Sequence, residues 1–103
     1  MSEGYEIEGD GGSISLAPGL LQTIVQRAAE TVAGVRVRRR RRGVEVRIAG
    51  DGVRVEIALA APYGAVLPDV ARAVQERVSD ALARMSGLAV TAVDVTVEEL
   101  VGT

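Results

Sequence analysis

Apolar positions along the chain recur with two periods, and the periods divide it into elements. Leu21, Ile24, Val25, Ala28 and Val32 stand three and four residues apart, while Gln22, Gln26, Arg27 and Glu30 fall mostly elsewhere. One apolar stripe at that spacing predicts an amphipathic helix. Pro18 suits its first turn, and Gly34 sits where a left-handed cap is expected. A second helix is predicted from Pro68 to about Met85, with Val70, Val74, Val78, Ala81, Leu82 and Met85 as its buried stripe. Arg72, Gln75, Glu76, Ser79 and Asp80 form its wet side, Asp80 precedes Arg84 by four residues, and Gly87 is the expected cap.

Elsewhere the period is two, the spacing of a half-buried strand. Ile14 and Leu16 alternate with polar neighbours over Ser13 to Leu16. Val44, Val46 and Ile48 alternate with Glu45 and Arg47, then Val53, Val55, Ile57 and Leu59 with Arg54, Glu56 and Ala58. Val93, Val95 and Val97 alternate with Asp94, Thr96 and Glu98; Leu100 and Val101 either extend that strand or pack beneath the sheet. Gly50-Asp51-Gly52 separates the middle two strands and signals a hairpin. Charge argues its register. An Asp51-Gly52 turn sets Arg47 against Glu56 and Ile48 against Val55. A Gly50-Asp51 turn sets Arg47 against Arg54 and Glu45 against Glu56, and opposed like charges are unfavourable. The expectation is the Asp51-Gly52 turn.

The resulting order, β-α-β-β-α-β, has one apolar face per strand and one stripe per helix. Its simplest solution is a two-layer α+β domain with both helices on one face of a mainly antiparallel sheet. A right-handed crossover in each strand-helix-strand unit makes a ferredoxin-like arrangement the first expectation, with strand order open. Residues 1–12 carry four acids, four glycines and no basic side chain, and read as an acidic flexible tail; residues 13–101 read as one domain.

Composition changes the picture mainly by exclusion. The 103 residues contain no cysteine, histidine, tryptophan or phenylalanine, and Tyr5 and Tyr63 are the only aromatics. Disulfides, thiolate and imidazole metal sites, and the commonest general base are thereby removed. Stacking platforms for single-stranded nucleic acid or flat cofactors are nearly so. The longest apolar run, Ile57 to Pro62, is far short of the roughly 20 residues that span a bilayer. With no leader visible, a cytoplasmic location is the expectation.

In order, the quoted segments resemble the bacterial alkaline shock protein family, the envelope stress response family of Gram-positive bacteria. The likeness covers about residues 12–101. It runs through Gly12-Ser13-Ile14-Ser15-Leu16-Ala17, Ile24-Val25, Ala28-Ala29, Val32-Ala33-Gly34-Val35, Gly43-Val44-Glu45-Val46 and the Val53-to-Leu59 strand. It continues in Tyr63-Gly64, Leu67-Pro68, Val70, Val74-Gln75, Val78, Met85-Ser86-Gly87-Leu88, Val90 and Val93-Asp94-Val95-Thr96-Val97. The resemblance implies a non-enzymatic protein of cell-envelope homeostasis, without catalytic residues or cofactor. It also implies self-association and docking to an envelope-associated partner, a small membrane-anchored relative, which would hold the chain peripherally at the membrane. The chain departs from the family where many members have a glycine-rich or mixed loop: here stand Arg38, Arg39, Arg40, Arg41 and Arg42.

That run is the feature that asks for a partner. Five adjacent like charges repel, with screening over about 8 Å at physiological salt. A solvated loop, relief by the acidic tail, an anionic lipid surface or acidic protein, and nucleic acid are the readings weighed. The last lacks stacking aromatics and a basic recognition helix. The remaining acid-base candidates are carboxylates. Asp94, Glu98 and Glu99 are placed to cluster at the end of the last strand, and Glu45 and Glu56 lie on the hairpin; alternation puts Asp94 and Glu98 on the wet face, and no catalytic role and no metal site is expected of these carboxylates. Tyr63 is expected to pack its ring over a helix start. The functional expectation is an interaction or scaffold protein. The alternative is an anionic-surface or nucleic-acid binder through Arg38–Arg42.

Overall fold

Both helices form where the three- and four-residue spacing places them, and the alternating segments become strands. The computed structural model describes residues 5–17, 19–38, 43–50 and 52–102. In chain order the elements are β1 (Tyr5–Gly9), β2 (Gly12–Leu16), α1 (Leu20–Ala29), β3 (Arg36–Val37), β4 (Val44–Ala49), β5 (Gly52–Pro62), α2 (Leu67–Ser86) and β6 (Ala89–Val101). This is the expected α+β class.

β5 organises the main, four-stranded sheet. It pairs antiparallel with β4 through Gly52 to Ile57, antiparallel with β3 at Leu59 and Ala60, and parallel with β6 from Gly52 to Pro62. The parallel pair is joined through α2, the kind of crossover that parallel neighbours require. Val53, Val55, Leu59 and Ala61 are fully buried and Ile57 nearly so. They pack against Leu21, Ile24, Val25, Ala28 and Ala29 of α1 and Val74, Val78 and Leu82 of α2. Each fully buried aliphatic side chain of this size contributes about 1.5–3 kcal/mol. Both helices therefore cover the same sheet face.

The ferredoxin-like expectation does not hold. Ser13–Leu16 lies within a strand, but β2 pairs with β1 in a separate two-stranded sheet, with Ile7 opposite Ile14 and Glu6 opposite Ser15. The stretch read as a tail carries its own alternation of apolar and acidic residues, and that alternation completes the hairpin. The place beside β5 is taken instead by β3 and β4. Pro18, expected to open α1, lies outside the described residues; Gly19, with φ 84°, stands at the helix start.

α2 departs from the expected stripe at its end. Val74, Val78, Leu82 and Ser86, four residues apart, are its buried line, and Met85 is 69% exposed. Position 86 rather than 85 continues that line. The Ser86 hydroxyl is satisfied there by donating to the Leu82 carbonyl at 2.6 Å and accepting from the Leu88 N–H at 3.3 Å. Gly87, at φ 74°, is the expected cap, and Pro68 occupies the first turn.

The hairpin adopts the register that the charge argument disfavoured. Arg47 opposes Arg54, Glu45 opposes Glu56, and Ala49 pairs with Gly52 around a Gly50-Asp51 turn. Asp51 lies outside the described residues; Gly50 has φ 61°, the left-handed geometry such turns need. Gly52 is required in the strand instead. A Cβ at Gly52 would stand 2.6 Å from Thr91 Cγ2 of β6, whose hydroxyl donates to the Val53 carbonyl at 3.1 Å.

Candidate interaction surface

Alternation along β4, β5 and β6 leaves one sheet face without a covering layer among the described residues. It presents Glu45 and Arg47 from β4, Arg54, Glu56 and Ala58 from β5, and Asp94 and Thr96 from β6. The like-charged rungs are relieved diagonally. Arg47 Nη2 lies 3.1 Å from Glu45 Oε1 and 3.9 Å from Glu56 Oε2. Arg54 turns the other way, to Asp94 at 3.0 Å. The Glu45 hydrogen bond, then the charges of Glu45 and Glu56, hold the Arg47 guanidinium above its ordinary pKa. Counting two strands missed this, because the third supplies Asp94.

The arginine run has a defined root. The Arg38 N–H donates to the Ala58 carbonyl at 2.9 Å, and the Ala58 N–H donates to the Gly43 carbonyl at 2.9 Å. Val37 opposes Leu59 and Val44 opposes Ile57. Arg38 and Gly43 thus share a single partner on β5. β3 and β4 are two halves of one line along β5, interrupted where the chain leaves at Arg38 and returns at Gly43. A β-bulge sets two residues against one; here Arg38 and Gly43 both stand against Ala58. Arg39, Arg40, Arg41 and Arg42 lie outside the described residues.

Arg38 is compensated within the domain. Its Nη1 pairs with Glu99, and its buried Nε lies 3.6 Å from Glu98 Oε1, a charge contact too long for a hydrogen bond. The acids that answer this arginine come from β6, sixty residues on. A bulge between Val97 and Glu99 in the β5–β6 register turns Glu98 and Glu99 to that position. Periodicity gave no sign of it.

The carboxylates singled out from the sequence are divided among arginines. Asp94 is held by Arg54, Glu98 and Glu99 by Arg38, and Glu45 and Glu56 by Arg47. All these pairs are at least partly exposed. Among the described residues, no group of three or more Asp or Glu side chains could hold a metal ion. Tyr63 does not pack as expected: the residue is 61% exposed. Its N–H donates to the Val101 carbonyl at 2.8 Å, because β6 continues to that residue. Tyr63, Val66, Leu100 and Val101 leave apolar surface exposed where β5 and β6 end. No helix among the described residues is long and apolar enough to cross a membrane.

Solved structures of MamM CTD resemble the chain. One variant aligns with a TM-score of 0.51 at 20% identity, covering 77% of this chain and 92% of that one. A cadmium form gives 0.51 at 22%, over 77% and 91%. The likeness is one of fold. The uncharacterized protein YqhY of Bacillus subtilis (strain 168) is 26% identical over 99 residues, 82% of this chain and 73% of the relative. Residues 35–101, which run from just before β3 to the end of β6, match the family model for the alkaline shock protein 23 family, described as having a cell envelope-related function. A fold of one centrally paired sheet under two helices, with residues 35–101 matching that model, places the chain in the alkaline shock protein 23 family.

Proposed function

We propose that the chain is a non-enzymatic interaction protein of the cell envelope, which self-associates and docks to an envelope-associated partner, a small membrane-anchored relative. The uncovered sheet face, with Arg47 and Arg54 each set against carboxylates, carries this reading. Its acids are at least partly exposed and shared among arginines, the arrangement of a polar surface rather than of a cleft. It offers a broad polar surface that another macromolecule can match. In this reading the alkaline-shock-type unit spans residues 13–101, and the chain works in the cytoplasm, peripheral to the membrane through its partner. The cadmium and copper forms among the MamM CTD structures supply no metal reading here, since the sequence has neither histidine nor cysteine.

Light scattering of the purified chain, with crosslinking and fractionation in cells, tests the proposal. Self-association and recovery in an envelope fraction are expected, both reduced by charge reversal on the open face, Arg54→Glu. A strict monomer that crosslinks to no envelope-bound protein overturns it.

The anionic-partner reading of Arg38, Arg39, Arg40, Arg41 and Arg42 draws support from the root of the run. Arg38 and Gly43 are both bonded to one backbone position, Ala58, and the sequence between them is four further arginines. Anionic vesicles and RNA are the probes. Salt-sensitive binding lost in Arg40→Glu with Arg41→Glu supports it, and equal binding by wild type and variant removes it.

A further inference from the structure

The main sheet ends on β6, and among the described residues no strand pairs with the outer side of this 13-residue strand. A long open edge is a template for another strand. Resting on the self-association proposed above, we infer that a second copy adds its own β6 there, antiparallel, with Val95 on the two-fold axis.

Three observations select this occupant and register. First, β6 is irregular against β5 at Thr91 and at Glu98, which leaves Ala92–Val97 as its regular stretch. A bulge terminates regular pairing, so a new strand must fit between the two. Secondly, the Val93 carbonyl accepts from Gln75 Nε2 of α2 at 3.1 Å. That contact marks Val93 as turned out of the β5 ladder, and alternation turns Val95 and Val97 out with it. A two-fold axis through Val95 then uses outward-facing backbone groups at Val93, Val95 and Val97 of both copies, the Val93 carbonyl accepting from the partner's Val97 with the lone pair that Gln75 leaves free.

Thirdly, the side chains discriminate among registers. An axis through Asp94 sets two Asp94 carboxylates together. An axis through Thr96 sets Asp94 against the partner's Glu98. Axes through Val93 or Val97 run into the irregular positions. The axis through Val95 sets Asp94 against the partner's Thr96 twice and Val93 against the partner's Val97 twice, with no acid opposing an acid. The valine row lies on the partly buried helix side and the Asp-Thr pairs on the open face. A strand that pairs with itself about a two-fold axis makes a closed, isologous contact, so assembly stops at two along this edge.

The chain has no cysteine, so single cysteines report the register cleanly. Opposed residues in antiparallel strands have Cα atoms about 4.5–5.5 Å apart, within disulfide reach. An equimolar mixture of Asp94→Cys and Thr96→Cys chains should oxidise to a covalent heterodimer, and either variant alone should do so far less. In parallel, Thr96→Asp creates two opposed like-charge pairs and should raise the dimer dissociation constant about 2- to 30-fold in light scattering. Thr96→Arg should lower it, and thermal melts of both variants should stay near wild type. A dimer without the 94–96 link overturns this inference and leaves association through another surface standing. A strict monomer overturns both. A link at 94 or 96 to a different protein overturns the second copy as occupant.

Discussion

Replacing Gly34 by alanine tests the contact that fixes the turn after α1 against the end of β5. Gly34 has φ +78°, and a Cβ there would stand 2.4 Å from Pro62 Cγ. The left-handed backbone alone costs an L-residue about 1–2 kcal/mol. Overpacking against a ring that cannot rotate away adds about 1–3 kcal/mol. The total, about 2–5 kcal/mol, should lower the melting temperature by at least about 8 °C in a domain of this size. Gly64→Ala is the matched control: φ is +90°, but no atom lies within 4 Å of the added methyl. It should incur the backbone penalty only. Pro62→Ala removes the offending Cγ, so the double variant should recover about 1–3 kcal/mol over additivity in a double-mutant cycle. Denaturant melts read all four corners. If Gly34→Ala and Gly64→Ala differ by less than about 0.5 kcal/mol, the close approach of turn and strand end is wrong.

Further expectations follow from other contacts. Leu82→Ala, at a fully buried position, should destabilise by about 2–5 kcal/mol in urea unfolding, and a change below 1 would contradict its burial. Gly52→Ala should be destabilising through Thr91 Cγ2 at 2.6 Å and be largely rescued by Thr91→Ser; equal stability of the single and double variants would refute the crossing. Arg54→Ala, which removes an exposed pair with Asp94, should shift stability by no more than about 1 kcal/mol in the same assay. Deleting residues 39–43 joins Arg38 to Val44, already consecutive partners of Ala58 and Ile57, so circular dichroism should show an intact fold. Loss of the fold would show that the two half-strands do not share one line.

Much of this architecture is written in local periodicity. Val74, Val78 and Leu82 on α2 and Val53, Val55 and Ile57 on β5 are buried where their spacing put them, because burial of a stripe or a row is a short-range pattern. What escaped is what depends on distant residues. Asp94, forty residues beyond Arg54, relieves the like-charged rung that two strands alone could not. Thr91 takes the space above Gly52 and moves the turn to Gly50. Glu98 and Glu99 answer Arg38 through an irregularity in β6. The hairpin β1–β2 was hidden because glycines and acids obscured a short alternation. Of the surface, the wet face of the sheet was legible in Glu45, Arg47, Arg54, Glu56 and Asp94. The pairing among these side chains was not.

Among the described residues, every pairing in the main sheet includes β5, and no two of its other strands touch one another through backbone bonds. The sheet is a star rather than a ladder of successive neighbours. In the single chain, protection of main-chain amides against solvent deuterium should therefore peak along β5 and decline outward on both sides at once. Excursions that release β4 or β6 singly leave the remainder in place, whereas losing β5 leaves nothing for the others to hold. The least exchangeable part of the molecule would then be one strand, with Arg38 and Gly43 fastened at its middle.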